Sequence, residues 1–470
     1  MSNITPLLKN NSEHYEVLVM AGEIAAEEKL PCYLVGGYVR DKLLNRETTD
    51  VDIMVEGDAI SYAKKLSAAM GIGKVVEFKE FGTARIPNEG FEIEVASARS
   101  ESYRKDSRNP KIEFSTFKDD MSRRDFTINA IAASIHPESF GKLHDPFGGI
   151  KDLHKGLIIT PLDPDSTFDD DPLRMLRAIR FSAQLKFDIA PNILESISRM
   201  KDRIKIIPWE RITNEIIKIL KADTPSIGFY TLRDTGLINI ILPEFSIMGG
   251  IETIQNMSHK DVFIHTLQVI DNAAALTDKM EIRFAALVHD IAKPQTKKFI
   301  NGKGWTYYGH EIVGINLMKK LAKRMKLSNE LRDYLCKLIK LHLRPIALAK
   351  KGVTDSAVRR VMVAAGEDID DLMILCRADI TTKNPKKVKR YLNNFERVEE
   401  MVQNVKLRDE MKAFQSPIRG AEIMEIFNLK PGRDVGKIKT AIEEAILDGD
   451  IENNYEAAYE FMMNLKKDIT

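Results

Sequence analysis

The sequence predicts an α+β protein, with a sheet backed by helices in its first third and helices from there to the end. Three observations carry this. Short β-type runs crowd residues 31–160, and after Asp165 the β-signals cease and helical periodicity takes over. Apolar residues make up 44% and charged residues 30% of 470, as in an ordinary globular chain with room for two to four domains. No run of 18 apolar residues occurs, and the N-terminal MSNITPLLKNNSEHYE lacks a basic region followed by an apolar one, so no membrane span or leader is expected and the cytoplasm is the expected compartment. Cys32, Cys336 and Cys376 are widely spaced in apolar segments and fit neither a zinc nor a disulfide pattern, so they read as reduced core residues.

Residues 1–30 read as helix, with Val17, Leu18, Ala21 and Ile24 at helical spacing. The apolar run Tyr33–Val35 then opens into Gly36-Gly37 and a short helix of the VRDKLL type, before a second strand, Asp50-Val51-Asp52-Ile53-Met54-Val55. Gly36 and Gly37 let backbone N–H groups approach a phosphate with no Cβ in the way, at a helix N-terminus whose dipole favours anions. Arg40, one turn on, adds a cation for the same phosphates. Residues i and i+2 of a strand share a face, so Asp50 and Asp52 converge where a divalent cation would sit. Alone, Gly-Gly is a turn and Asp-x-Asp a solvated strand end; in this order they form a triphosphate cradle beside a metal clamp. Further strands are expected in KVVEFKEFGTARI, FEIEVASAR and KIEFSTF. Glu94 is either a third carboxylate for the metal or a cross-strand charge facing solvent. Glu101 to Phe117, polar and turn-rich, reads as a mobile loop beside the site.

Helical periodicity runs from Asp165 through Leu242 and again from Ile251 to about Thr382. Asn384-Pro385-Lys386-Lys387 reads as a linker, and a helical tail breaks at Pro431-Gly432. The regions expected are therefore 1–165, 166–245, 250–383 and 388–470. The net charge of +1 conceals an asymmetry: Arg283–Arg360 holds 18 Lys/Arg against 5 Asp/Glu, while the last thirty residues hold two Lys and eight Asp/Glu. A basic stretch in an otherwise acidic chain is either a solvated helical face or a phosphate-backbone contact surface.

The first motif does not stand alone. Arg123-Arg124-Asp125-Phe126-Thr127-Ile128-Asn129-Ala130, Asp145-Pro146-Phe147-Gly148-Gly149-Ile150-Lys151-Asp152-Leu153, Asp170-Asp171-Pro172-Leu173-Arg174-Met175-Leu176-Arg177-Ala178-Ile179-Arg180-Phe181 and Pro208-Trp209-Glu210-Arg211-Ile212 through Glu215 follow in that order. From about residue 20 to 220 the chain closely resembles the class II polymerase-β-like nucleotidyltransferases, which include bacterial CCA-adding tRNA nucleotidyltransferases and bacterial poly(A) polymerases. The resemblance implies a nucleotidyltransferase head followed by an all-helical neck. It implies Mg²⁺ held by Asp50 and Asp52, and nucleotide contacts from Gly36, Gly37, Arg40, Arg124, Asp125 and Asn129, the last two toward the ribose hydroxyls. Asp171 and Arg174 would read the base. Cytosine and adenine share an amine donor beside a ring-nitrogen acceptor, which an Asp acceptor and an Arg donor three apart on one helix face would match; guanine and uracil reverse that pattern. The family pattern has Glu where this chain has Asp170. Asp171 also suits an N-cap before Pro172, and Arg177 and Arg180 are placed to touch phosphates or to be solvated.

Five of the nine histidines fall between residues 259 and 342. His265, His289-Asp290, His310, His342 and Asp379 follow the order H…HD…H…H…D, which resembles the HD superfamily of metal-dependent phosphohydrolases. That resemblance implies a site for one or two transition-metal ions, with Lys293 near a phosphate or in solvent and His259 behind the ligands. The expected function is CCA addition to the tRNA 3′ end from CTP and ATP. Poly(A) synthesis is the nearest alternative, disfavoured by the acidic C-terminus, and CC-only or A-only addition follows. An HD phosphohydrolase with a degenerate head, or a silent RNA-binding protein, is opposed by the intact Asp50/Asp52 and RRDFTINA. No segment specifies an oligomeric state.

Overall fold

The computed structural model describes residues 2–104, 107–348, 353–382, 384–413, 417–447, 450–452 and 454–469. The head is built on a seven-stranded sheet. Its strands are β1 (Cys32–Val35), β2 (Asp50–Val55), β3 (Val76–Phe78), β4 (Thr83–Pro87), β5 (Glu92–Ser97), β8 (Ala132–Ser134) and β9 (Leu143–His144), in the order β3-β4-β5-β2-β1-β8-β9. Only β2 and β5 pair in parallel; the other neighbours are antiparallel. The Ser12–Glu27 and Ala59–Ala69 helices pack against each other over one face. There Leu18, Ala21, Tyr62 and Leu66 join Leu34, Val51, Ile53, Val55, Ile93 and Val95 in one core. Each such Leu or Ile, fully buried, contributes about 1.5–3 kcal/mol relative to exposure. Because strand side chains alternate, Asp50 and Asp52 of β2 and Glu94 of β5 lie on the opposite face, where Met54, Val35, Ala98 and Met121 form a second, smaller cluster.

Two expectations for the head change. β6 (Arg99–Arg104) and β7 (Ser107–Phe114) form an antiparallel ribbon, bulged between Ser102 and Arg104; the strand expected in KIEFSTF is present as far as Phe114, but the loop expected from Glu101 to Phe117 is paired. A ribbon held by backbone pairing needs no apolar alternation, so its sequence reads as loop; its tip, 105–106, lies outside the described residues. The β-structure also does not end at Asp165. Leu157–Ile158 pairs in parallel with Asp188–Ile189, and small hairpins at Thr253–Ser258 and Lys298–Thr306 sit among the later helices.

In the neck, helix Leu173–Leu185 packs on Trp209–Leu220 and Ser226–Asp234. The next region uses helices Val262–Leu276, Met280–Val288, His310–Arg324, Asn329–Leu341 and Ile369–Ala378. Residues 1–343 and 367–388 form one compact unit. Arg283, 3% exposed, ties neck to HD region inside it: Nη1 donates to the carbonyls of Leu220 and Ala222, both at 3.1 Å, and Nη2 to Asp278 at 3.0 Å. The second unit comprises 344–366 with 389–470, so 344–366 groups with the tail segment. Its own core gathers Ile418, Ile423, Ile438, Ile442, Ala458 and Met462. The expected linker at Asn384–Lys387 is instead the start of a helix, Pro385–Ala413, with the Asn384 side chain accepting from the N–H groups of Lys386 and Lys387. Asn followed by Pro is an N-cap with proline at the first helical position, a signal that also reads as a break. Among the described residues no helix is long and apolar enough to cross a membrane, and the three cysteines are free and buried.

Candidate active site and metal centre

The turn from β1 into helix Gly37–Leu43 requires glycine once. Gly36 has φ +67° and ψ −135°, a conformation closed to side chains, and a Cβ there would lie 3.0 Å from Nη1 of Arg124 and 3.4 Å from Oδ2 of Asp52. At Gly37 a Cβ meets only an ordinary contact with Arg40. This turn floors a cavity of about 760 Å³, lined by Gly36, Gly37, Arg40, Asp52, Glu94, Arg124, Asp125, Asn129, Asp171, Arg174, Arg177 and Arg211 among others. Of the sequence-predicted residues of the first site, Asp50 alone is not on its wall; it is exposed at the start of β2.

The parallel register sets Asp50 opposite Glu92 and Asp52 opposite Glu94, so the carboxylates share a face. Burial, with Glu94 and Asp50 nearby and despite the guanidiniums of Arg124 and Arg40, pushes the Asp52 carboxyl up to about 7. Anionic groups gathered with that little compensation suit a divalent cation. Glu94 lines the cavity beside Asp52 and also faces Arg85 across the strands at 3.6 Å, so the cross-strand charge pair is present and the carboxylate stands on the cavity wall.

The arginines are held rather than loose. Arg40 donates through Nη1 to Oδ1 of Asn129 at 2.7 Å and pairs with Asp41. Nδ2 of Asn129 donates to Asp125 at 2.9 Å, and Asp125 accepts from Nε of Arg177 at 2.7 Å. Burial works to raise the Asp125 carboxyl, but Arg177 and the Asn129 amide outweigh it and hold it at about 2. Arg40, Arg177 and Arg180 all stack around Phe181, at 4.9, 5.6 and 4.1 Å from its centroid. Asp120, 1% exposed, grips Arg123 through one oxygen and Arg124 through the other. Sequence reading passed over Asp120, although its spacing three and four residues before the two arginines is a helical ion-pair signal.

Asp171 and Arg174 are brought to one cavity, but not on one helix face. Helix Pro164–Asp170 ends before Asp171, helix Leu173–Leu185 begins after Pro172, and Asp171 is extended at φ −137°. A residue preceding proline is driven out of the helical region, which overturns the i,i+3 reading. Oδ1 of Asp171 accepts from the Leu173 N–H at 3.1 Å, much as an N-cap would, while Oδ2 accepts from Nη2 of Arg211 at 3.0 Å. Arg174 donates to the backbone carbonyls of Arg123, at 2.6 Å, and Thr167. Arg211, inside the quoted fifth motif, was not singled out from sequence. Arg180 lies 3.0 Å from Glu215 in a buried ion pair on the cavity wall, so it is not the solvated residue that was one of its two expected roles.

The six residues of the second site do converge. Nε2 of His265 lies 3.0 Å from Asp379 and 3.3 Å from Asp290, and Nε2 of His289 lies 3.2 Å from Asp290. Nε2 of His310 lies 3.5 Å from the other Asp290 oxygen and 3.2 Å from Nε2 of His342. His289, His310 and His342 turn Nδ1 outward to the carbonyls of Ala286, Tyr307 and Ile339, and His265 to the Thr381 hydroxyl. A carbonyl only accepts, so the Nδ1 atoms of His289, His310 and His342 carry protons, and in the neutral imidazole their Nε2 atoms present lone pairs inward. Burial works to lower His289, but Asp290 and Asp379 outweigh it and raise it to about 10, favouring its charged form while no cation is bound. Nε2 of His289 and Oδ1 of Asp290 are buried without a hydrogen-bond partner, while Oδ2 of Asp290 takes the Lys293 ammonium. His265, His289 and Asp379, and likewise Asp290, His310 and His342, each set three ligand atoms within 4.8 Å of one another. Buried, unpartnered acceptor atoms within these two groups fit one or two cations. Burial and the neighbouring His289 lower His342 to about 4. Lys293 forms an ion pair with Asp290. His259 does not stand behind the ligands: its ring nitrogens contact the Lys260 carbonyl and the Glu252 N–H, bracing the nearby hairpin.

Comparison with known proteins gives three matched family models. Residues 32–159 match the poly A polymerase head domain, 186–248 the probable RNA and SrmB-binding site of polymerase A, and 262–384 the HD domain. The chain is 34% identical over 338 residues to the "Multifunctional CCA protein" of Nitrosospira multiformis, covering 67% of this chain and 76% of that one. It is 43% identical over 196 residues to the "A-adding tRNA nucleotidyltransferase" of Aquifex aeolicus, covering 41% of this chain and 23% of that one. A solved CCA-adding enzyme in its apo form shares the fold at TM-score 0.61 and 22% identity, covering 98% of each chain. A tRNA nucleotidyltransferase solved with a primer tRNA and an incoming ATP analogue aligns at TM-score 0.57 and 27% identity, covering 81% of this chain and 99% of that one. With its head, neck and HD region all matched, the chain belongs to the tRNA nucleotidyltransferase and poly(A) polymerase family and is a nucleotidyltransferase.

Proposed function

We propose that the protein adds or repairs the 3′-terminal CCA of tRNA, using CTP and ATP in a metal-assisted nucleotidyl transfer. The observation that carries this reading is a single cavity holding a carboxylate strand, an arginine wall, and an Asp acceptor and Arg donor from the head–neck joint. Asp50 and Asp52 would hold Mg²⁺, which supplies charge neutralisation at the attacking and leaving oxygens. The Gly36 turn admits the triphosphate close to the backbone, and Arg40, Arg124 and Arg177 give it a cationic wall. Asp125 and Asn129, fixed by Arg177 and Arg40, face the ribose hydroxyls. Asp171 accepts from the exocyclic amine and Arg174 donates to the ring nitrogen, a pairing that C and A satisfy and G and U do not. The relatives named for CCA addition, and the one solved with primer tRNA and an ATP analogue, support the substrates. A-only addition is the second reading, favoured by the 43% identity to an A-adding relative. tRNA transcripts ending before CCA, incubated with Mg²⁺ and labelled CTP and ATP singly and together, decide it. Three additions that stop are expected; a lengthening A tract, arrest after CC, or addition of A alone would replace the reading.

The HD centre is proposed as a phosphoester hydrolase. His265, His289, Asp290, His310, His342 and Asp379 would hold one or two transition-metal ions, which supply an acidified water. Lys293, paired to Asp290, would steady the phosphate. Of the basic segment, Arg283, Lys293, Lys297, Arg324 and Lys337 are spent on internal partners, leaving Lys319, Lys320, Lys323, Lys326 and Lys340 exposed for RNA.

A further inference from the structure

We infer that Arg211 is a positioning residue for base selection, holding the Asp171 carboxylate where it reads the exocyclic amine of C or A. The inference rests on the base-reading role proposed for Asp171 and Arg174. Asp171 sits in the two-residue joint between helices, its N–H donating to the Thr167 carbonyl at 3.4 Å and its carbonyl accepting from the Arg174 N–H at 3.0 Å, so its backbone is fixed and its side chain is what remains to be oriented. The Leu173 N–H, at 3.1 Å, pins one carboxylate oxygen to the helix start. One contact leaves the carboxylate free to turn about its terminal torsion, which is broad for Asp. The second contact comes from another helix: Nη2 of Arg211, near the start of Trp209–Leu220, donates to Oδ2 at 3.0 Å. The acceptor is thus registered against the neck packing as well as against its own helix start. Arg174 is held separately, by the carbonyls of Arg123 and Thr167. The two reading side chains therefore have different supports, although the Thr167 carbonyl accepts from both residues and the Arg174 N–H donates to the Asp171 carbonyl, and Arg211 supplies one of these supports from the wall of the same cavity. Its side chain is 40% exposed and that of Asp171 17%. An ion pair so open to water adds little to stability, so the residue's value lies in orientation and its removal leaves a folded protein.

The test measures kcat and KM for all four NTPs on a tRNA lacking CCA, with Arg211→Gln, Arg211→Lys, Asp171→Ala and the Arg211→Gln/Asp171→Ala double variant. Losing a charge-assisted hydrogen bond that orients the reader should raise KM for CTP and ATP by roughly 10-fold, with kcat nearly kept. The preference for CTP over UTP should fall by a similar factor, and Arg211→Lys should recover most of it. In the Asp171→Ala background Arg211→Gln should add little, because the group through which it acts is gone. The inference is overturned if Arg211→Gln scales all four NTPs equally, or if its penalty is undiminished without Asp171. A wild-type enzyme that adds neither C nor A would instead overturn the functional reading, and an unchanged base preference in Asp171→Ala would overturn the role of Asp171.

Discussion

Asp125 shows how a residue's neighbours set its chemistry. Arg177 and Asn129 hold its buried carboxyl at about 2, below the unfolded value of about 3.9. A depressed carboxyl contributes stability that is present above the unfolded pKa and lost as pH falls through the folded one. Acid unfolding between about pH 4 and 2 should therefore carry a component that Asp125→Asn removes, read from thermal midpoints across that window. Asp52 is the other decisive residue. With its carboxylate proposed as a metal ligand, Asp52→Asn should cost about 10³-fold or more in incorporation, since charge stabilisation at such sites is commonly worth that much. Retained activity at the wild-type level would remove Asp52 from the mechanism. The motifs made both residues legible in the sequence. Asp120 and Arg211 were not, because their importance lies in what they touch: two guanidiniums in one case and the Asp171 carboxylate in the other.

At the scale of elements, glycine fixes where backbone may approach backbone or cavity. Gly36 in its strand–turn–helix occupies a conformation costing another residue about 1–3 kcal/mol. Gly36→Ala should lower the unfolding free energy by that order in denaturant titration and weaken nucleotide binding, because the new Cβ presses on Arg124 and Asp52. The histidines tell a similar story. Four elements each deliver one ring, and outward Nδ1 contacts set its tautomer or aim. His289→Ala should strip metal from the HD centre, measured as metal per chain after dialysis, and abolish any phosphoester hydrolysis there. Metal content equal to wild type would show that the ion sits elsewhere. The order of ligands was readable along the chain, whereas the 3.2 Å approach of His310 to His342 was not, since 32 residues separate them.

Across the whole molecule, head, neck and the HD region apart from residues 344–366 share one compact unit, and Arg283 is the buried tie between neck and HD region within it. Replacing it by Met would leave the carbonyls of Leu220 and Ala222 without their donor inside the protein. Each buried orphan costs about 1–3 kcal/mol. Arg283→Met should therefore lower the thermal midpoint clearly, by several degrees in calorimetry, even though the charge was counted as part of a basic surface. An unchanged midpoint would show that neck and HD region are not coupled through this residue. Counting charge along a chain cannot separate such an internal donor from the exposed lysines of the same segment.

The sequence alone determined the α+β order, because periodicity is a property of consecutive residues, and through resemblance to known families it also made the nucleotidyltransferase motifs and the six candidate residues of the second site legible. Only the tertiary structure decided that Glu94 faces both the cavity and Arg85, and that Asp171 leaves the helix and answers to Arg211. It likewise decided that Arg180 and Arg283 are buried, each with internal partners, and that Arg99–Arg104 pairs with Ser107–Phe114. These depend on distance through space, which only the packed chain fixes.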